Sequence, residues 1–156
     1  MLISLEIRNF LLIKNISINF ITGFNAFTGE TGAGKSIIID GLKLALGGKN
    51  NTNLNLSDGE TSNIKAVFDR DKNINQNLKD LDIKIEDDYL IVERQINHSH
   101  KSKILLNGQI VSQSIVKRVL VNTIEFQENY EQQELFDNKY FLNFIDKLGK
   151  IELTSI

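Results

Sequence analysis

Eight residues constrain this chain more than any other stretch: Gly29, Glu30, Thr31, Gly32, Ala33, Gly34, Lys35 and Ser36 fill the pattern G-x-x-x-x-G-K-[S/T] without a gap. Glycines at this spacing let successive backbone N–H groups converge on one point, and the positive end of a following helix dipole adds to the anion site. The Lys35 ammonium is placed to reach β- and γ-phosphates, and the Ser36 hydroxyl to ligate Mg²⁺. At average residue usage, the four specified positions would arise by chance in a chain of 156 residues about half a percent of the time. Context agrees. Residues 24–27 read as a short strand leading into the loop, and Ile37, Ile38, Leu42, Ala45 and Leu46 follow with helical spacing. Gly47 and Gly48 supply the expected helix stop. Strand, glycine loop and helix together are what this motif requires, and ATP with Mg²⁺ is the expected ligand.

The rest of the composition excludes several classes. An apolar fraction of 41% with 24% charged residues places the chain among soluble globular proteins. There is no cysteine, which removes disulfides and thiolate metal sites. No apolar run approaches the length of a transmembrane helix, and Glu6 and Arg8 interrupt the amino-terminal apolar stretch, so neither a membrane span nor a signal peptide is expected. A cytoplasmic location follows as the expectation. A net charge of −2 gives the whole chain no nucleic-acid footprint, so any DNA contact is local or lies elsewhere.

In chain order, Ile3, Leu5 and Ile7 alternate with other residues, as do Ile16, Ile18 and Phe20, predicting a hairpin that turns between Asn9 and Asn15. Beyond the loop and its helix, residues 50–59 read as a loop. Ile64, Ala66 and Phe68 mark a strand, and residues 69–82 a solvated connection. Ile83 and Ile85, residues 89–96 and residues 103–106 read as further strands, with Asn107-Gly108 as a turn. Ser112 is placed to cap a helix carrying Ile115, Val116, Val119 and Leu120. Residues 121–126 return to strand. A closing helix runs from a cap at Asp137, through Phe141, Phe144, Ile145 and Leu148, to a stop at Gly149. The order fits an α/β domain with a mixed sheet, built around the phosphate loop.

Several of these stretches resemble the amino-terminal part of the RecN family of bacterial DNA repair proteins. They are residues 3–10, residues 28–36, the Leu46-Gly47-Gly48 helix end, residues 104–108, and Lys139, Tyr140, Leu142, Ile145 and Asp146 near the end. That family is similar to SMC proteins, which carry an ABC-type ATPase head at the end of a long antiparallel coiled coil. The resemblance implies a P-loop NTPase of ABC/SMC type. Residues 1–150 would be the amino-terminal, strand-rich half of the head, and residues 151–156 the start of a coiled coil or a truncated tail. It also implies that Gln127 reaches Mg²⁺ and the attacking water. The surroundings of Gln127 depart from the family pattern, leaving Gln132 and Gln133 as rivals, and Lys49 stands where an arginine is common. A Walker B Asp-Glu, a signature loop and a switch histidine are missing from the sequence. ATPase activity is therefore expected only when a carboxy-terminal half completes the head and a second head engages it, with DNA bound through the complete protein.

Other patterns have plainer readings. Residues 56–60, Leu-Ser-Asp-Gly-Glu, look like a signature loop but precede the glutamine segment, and turn chemistry explains them. Residues 146–149 match a GTPase Asp-x-x-Gly, yet no guanine-reading aspartate accompanies them. Residues 90–93 lack the aspartate of a Walker B strand. His98 and His100 are two ligands without a third, and the acidic residues between Asp80 and Asp88 read as a solvated rim. Two alternatives remain: a self-contained P-loop kinase or phosphotransferase, and a non-catalytic remnant.

Overall fold

Alternation of apolar residues is strongest in four segments, and those segments form the centre of a six-stranded sheet. The computed structural model describes residues 1–29, 34–49, 54 and 56–126. They contain β1 (Leu2–Phe10), β2 (Ile13–Asn19), α1 (Lys35–Ala45), β3 (Thr61–Asp69), α2 (Lys72–Asp80), β4 (Tyr89–Asn97), β5 (Ser102–Leu106), β6 (Gln109–Val111) and α3 (Gln113–Val119). All of these elements belong to the first of two units, Met1–Ile124; of the second, Glu125–Ile156, only Glu125 and Phe126 are described.

The strands lie in the order β2-β1-β3-β4-β5-β6, and each neighbouring pair is antiparallel. The sheet of the described residues is therefore antiparallel throughout, not mixed. Register follows from the period of two, because a slip of one residue would turn every apolar side chain outward. Ile7 pairs with Ile64, Ile64 with Arg94, and Arg94 with Ile104. Leu5, Ala66, Val92 and Leu106 form the adjoining row. Apart from Arg94 these side chains are buried and apolar, each large one contributing roughly 1.5–3 kcal/mol through burial. Helix α1 lies against β1, β3 and β4, while α2 and α3 pack on each other.

The amino-terminal hairpin forms as expected, with the turn narrowed to Leu11 and Leu12. Four expectations need correction. Residues 24–27 form no strand. Asn25 explains this locally: its Oδ1 accepts from the Ile21 N–H at 3.1 Å, and its Nδ2 donates to the carbonyls of Ile21 at 2.8 Å and Gly23 at 3.2 Å. A side chain that satisfies nearby backbone groups in this way competes with a sheet ladder. Residues 69–82 are not merely a connection, because α2 lies within them. Asp71 caps it by accepting from the Ile74 N–H at 2.9 Å, and Ile74 and Leu78, four apart, are buried. Ile83 and Ile85 form no strand. The Arg70 guanidinium instead holds this segment through the carbonyls of Ile85 at 2.9 Å and Asp87 at 2.6 Å. Residues 121–126 turn and then run without regular structure. The closing helix expected over residues 137–149 lies outside the described residues.

The Asn107-Gly108 turn is present, with φ of 43° and 81°. It leads into β6, which was not expected from the sequence. Ser112 caps α3 as expected, accepting from the Ile115 N–H at 3.4 Å. Residues 56–60 are a turn: the Glu60 N–H reaches the Ser57 carbonyl at 3.0 Å, and Glu60 Oε2 accepts from the Ser57 N–H at 2.9 Å.

Candidate phosphate-binding site

Helix α1 begins in a way that favours an anion. Its N-cap is Gly34 at φ 85° and ψ 5°, the left-handed region that an L-residue enters at a cost of roughly 1–2 kcal/mol. A Cβ built on Gly34 would meet nothing within 4 Å, so the demand for glycine there is conformational rather than steric. Because glycine has no side chain, nothing caps the first turn, and that turn carries no acidic residue. The first N–H groups of a helix have no partner within the helix. Here no side chain caps them, and the helix dipole gives this end a partial positive charge.

Lys35 and Gly29 bring the two ends of the loop together: Lys35 Nζ donates to the Gly29 carbonyl. Ser36 is exposed in the first turn of α1. The Nζ bond joins Gly29 to Lys35, and Gly34 and Ser36 flank Lys35 at the start of α1. Glu30, Thr31, Gly32 and Ala33 lie outside the described residues, as do Gln127, Gln132 and Gln133. Lys49 is exposed.

Both ends of this arrangement are anchored. Upstream, the Asn25 turn and an edge-to-face contact between Phe20 and Phe27, with ring centroids 6.1 Å apart, tie the approach to the loop to the end of β2. Downstream, the Gly48 N–H reaches the Lys43 carbonyl at 2.9 Å and the Gly47 N–H reaches the Leu44 carbonyl at 3.3 Å, with Gly47 at φ 89°. This is the paired bonding of a Schellman stop. Gln113 Nε2 donates to the Gly48 carbonyl at 3.2 Å and links α1 to α3. Between these ends, Gly41 faces β1 so closely that a Cβ there would lie 3.0 Å from Ile7 Cδ1. Sequence reasoning overlooked Asn25 and Gly41. Only an asparagine two residues after Gly23, and a glycine inside a helical pattern, could have signalled them.

A glycine N-cap with no side-chain cap, followed by a lysine, is an arrangement that favours an anion at a helix start. Among the described residues no group of three His, Cys, Asp or Glu side chains could hold a metal ion unaided. A divalent cation at Ser36 would take further ligands from the phosphates and from water.

Known proteins resemble the chain along its length. Residues 4–153 match the family described as AAA domain. A DNA repair protein RecN from Synechocystis sp. is 33% identical over 153 residues, covering 96% of this chain and 26% of that protein. Its counterpart from Halalkalibacterium halodurans is 29% identical over 158 residues, covering 100% and 28%. The chain spans about a quarter of the length of these relatives. A solved chain from work on ATP-driven dimerization and DNA-stimulated activation of SMC ATPases superposes with a TM-score of 0.65 at 21% identity, covering 94% of this chain and 98% of that one. At that identity the likeness speaks to the fold.

Proposed function

The chain belongs to the AAA domain family and matches DNA repair proteins of the RecN type along its length, and from that premise we propose that it is the ATP-binding amino-terminal half of a RecN-like ATPase head. The observation that carries the proposal is the start of α1: a left-handed Gly34, an uncapped and acid-free first turn, and Lys35 bridging to Gly29. Residues 29–36 bind the phosphates of ATP, and Ser36 ligates Mg²⁺. Gln127 completes the metal shell and orients the attacking water, a role that affects turnover more than ground-state binding. Residues 1–150 constitute this half, and the remaining residues lead toward a coiled coil.

A complete head requires a carboxy-terminal half that brings a carboxylate for Mg²⁺, and a second head that closes on the nucleotide. In the assembled protein, ATP-driven engagement of heads is coupled to DNA binding during break repair and recombination. The charge distribution supports a DNA contact on this lobe. Residues 95–124 carry Lys101, Lys103, Lys117 and Arg118, all exposed, and no Asp or Glu. A cleft of about 330 Å³ at one end of the sheet is lined by Thr61, Gln95, Asn97, Lys101, Ser102 and Lys103, side chains of the kind that contact phosphodiesters. No helix among the described residues is long and apolar enough to cross a membrane, in keeping with a cytoplasmic, nucleoid-associated protein.

Turnover tests this reading. Phosphoryl transfer needs a phosphate cradle, a held Mg²⁺, a positioned water and charge opposite the γ-phosphate. The purified chain is expected to show no enzymatic ATP hydrolysis alone, and to gain it when a carboxy-terminal head half is supplied. Robust Mg²⁺-dependent hydrolysis by the lone chain, removed by Lys35→Ala, would favour the self-contained phosphotransferase.

A further inference from the structure

Asn107-Gly108 is the only Asn-Gly dipeptide in the chain. Asparagine is a thermolabile side chain, and most of all before glycine, where no side chain on the next residue hinders its backbone nitrogen from reaching the asparagine Cγ and closing a five-membered imide. The dipeptide forms the two-residue turn between β5 and β6, with Leu106 paired to Gln109 across it. Both residues hold positive φ, 43° and 81°, as a hairpin this tight demands. The Asn107 side chain is turned to β4 and the residues just before it. Its Oδ1 accepts from the Ile91 N–H at 2.9 Å, and its Nδ2 donates to the Tyr89 carbonyl at 2.9 Å and to Asp87 Oδ2 at 2.8 Å. The Asn107 N–H in turn donates to the Ile91 carbonyl at 2.8 Å.

These bonds give the side chain a place in the sheet. As the chain leaves β5 for the turn, the Asn107 amide takes over the pairing with β4 that the backbone gives up, and its bond to the Asp87 carboxylate is charge-assisted. Imide closure needs Cγ to swing onto the Gly108 nitrogen. All three side-chain bonds must break before it can do so. The element beyond the turn is the one least able to hold the site shut by itself: β6 has three residues and lies at the edge of the sheet, and short edge elements open locally at lower cost than a core. Asn107 ties this edge to the interior strand β4.

We propose that Asn107 is a self-modification site sealed by the folded hairpin: it is inert while its amide is bound to residues 87–91, and it deamidates irreversibly once the β5–β6 edge opens. On opening, a solvent base takes the Gly108 N–H proton, the nitrogen bonds to Asn107 Cγ, and the Cγ–Nδ2 bond breaks with loss of ammonia. Water then adds to one of the two imide carbonyls and opens the ring, leaving aspartate or isoaspartate. Either product injures the hairpin. Aspartate has no N–H for the Tyr89 carbonyl, and it sets a second carboxylate against Asp87 where a 2.8 Å bond now stands; like charges set opposite each other in a sheet destabilise it. Isoaspartate adds a backbone carbon to a turn whose length sets the strand register. The step runs one way, so time spent open accumulates as chains that no longer close fully.

Peptide mass spectrometry of the full chain tests the seal, with one sample incubated folded in mildly alkaline buffer and another unfolded in guanidinium chloride at the same pH. Deamidation at Asn107 is expected to be at least ~10-fold slower in the folded chain; equal rates would overturn the proposal. Asp87→Ala removes one of the bonds that hold the amide. It is expected to raise the folded-state rate several-fold and to leave the unfolded-state rate unchanged. Asp71→Ala, which loosens α2 instead, is expected to leave the folded-state rate where it was. No acceleration by Asp87→Ala, or equal acceleration by both variants, would overturn the seal, the second by assigning the rate to general loss of stability. Asn107→Asp, which installs one product directly, is expected to lower the thermal midpoint by several degrees, and an unchanged midpoint would overturn the claim that the modification injures the hairpin.

Discussion

At Gly34 the constraint is a dihedral angle, whereas at Gly41 it is a distance, although both glycines belong to the helix that carries the phosphate loop. Gly34 holds φ 85° with open space around its Cα, so any L-residue there is strained whatever its size. Gly41 has no unusual backbone but lies against Ile7 and Phe10, where a Cβ would come within 3.0 Å and 3.6 Å of their side chains. Gly41→Val is therefore expected to push α1 off β1 and to destabilise the chain by about 1–3 kcal/mol, measured as a lower urea midpoint. An unchanged midpoint would mean that α1 is not seated through this glycine. The phosphate-loop motif was legible because its residues are contiguous in the sequence. Gly41 and Asn25 act through tertiary proximity and local competition, which no spacing rule encodes.

Among elements, legibility followed periodicity. Burial alternates along β3 and β4 and over Leu5–Ile7 of β1, and all three strands were read from the sequence. Helix α2 was missed because only Ile74 and Leu78 of its nine residues are buried, too few for a periodic signal among Asn, Gln, Lys and Asp. Its Asp71 cap was the available clue. Asp71→Ala is expected to cost about 1 kcal/mol by thermal or urea denaturation; no loss would show that α2 is held entirely by packing and by the Asn77 Nδ2 bonds to the carbonyls of Val119 and Val121. Residues 24–27 illustrate the opposite error. Their strand-like composition is real, but a strand needs a neighbour, and the Asn25 side chain satisfies the local backbone instead. Phe24 is left 89% exposed.

For the molecule as a whole, the described lobe has a closed apolar core on one sheet face and unsatisfied features elsewhere. Leu12, Ile21, Phe24 and Ile110 are large apolar side chains left in water, Arg94 and Ser62 have buried polar atoms without hydrogen-bond partners, and α1 begins without a side-chain cap. The fold was legible because its strands announce themselves. The orphaned Arg94 guanidinium was not legible, since it becomes visible only when its strand is placed among its neighbours.

The central claim is that residues 29–36 bind nucleotide, and calorimetric titration of Mg²⁺-ATP into the original chain and into Lys35→Ala tests it most directly. Saturable binding by the original chain, weakened at least ~10-fold in the variant with an unchanged circular dichroism spectrum, is expected. Equal affinities, or no binding by the original chain, would contradict it.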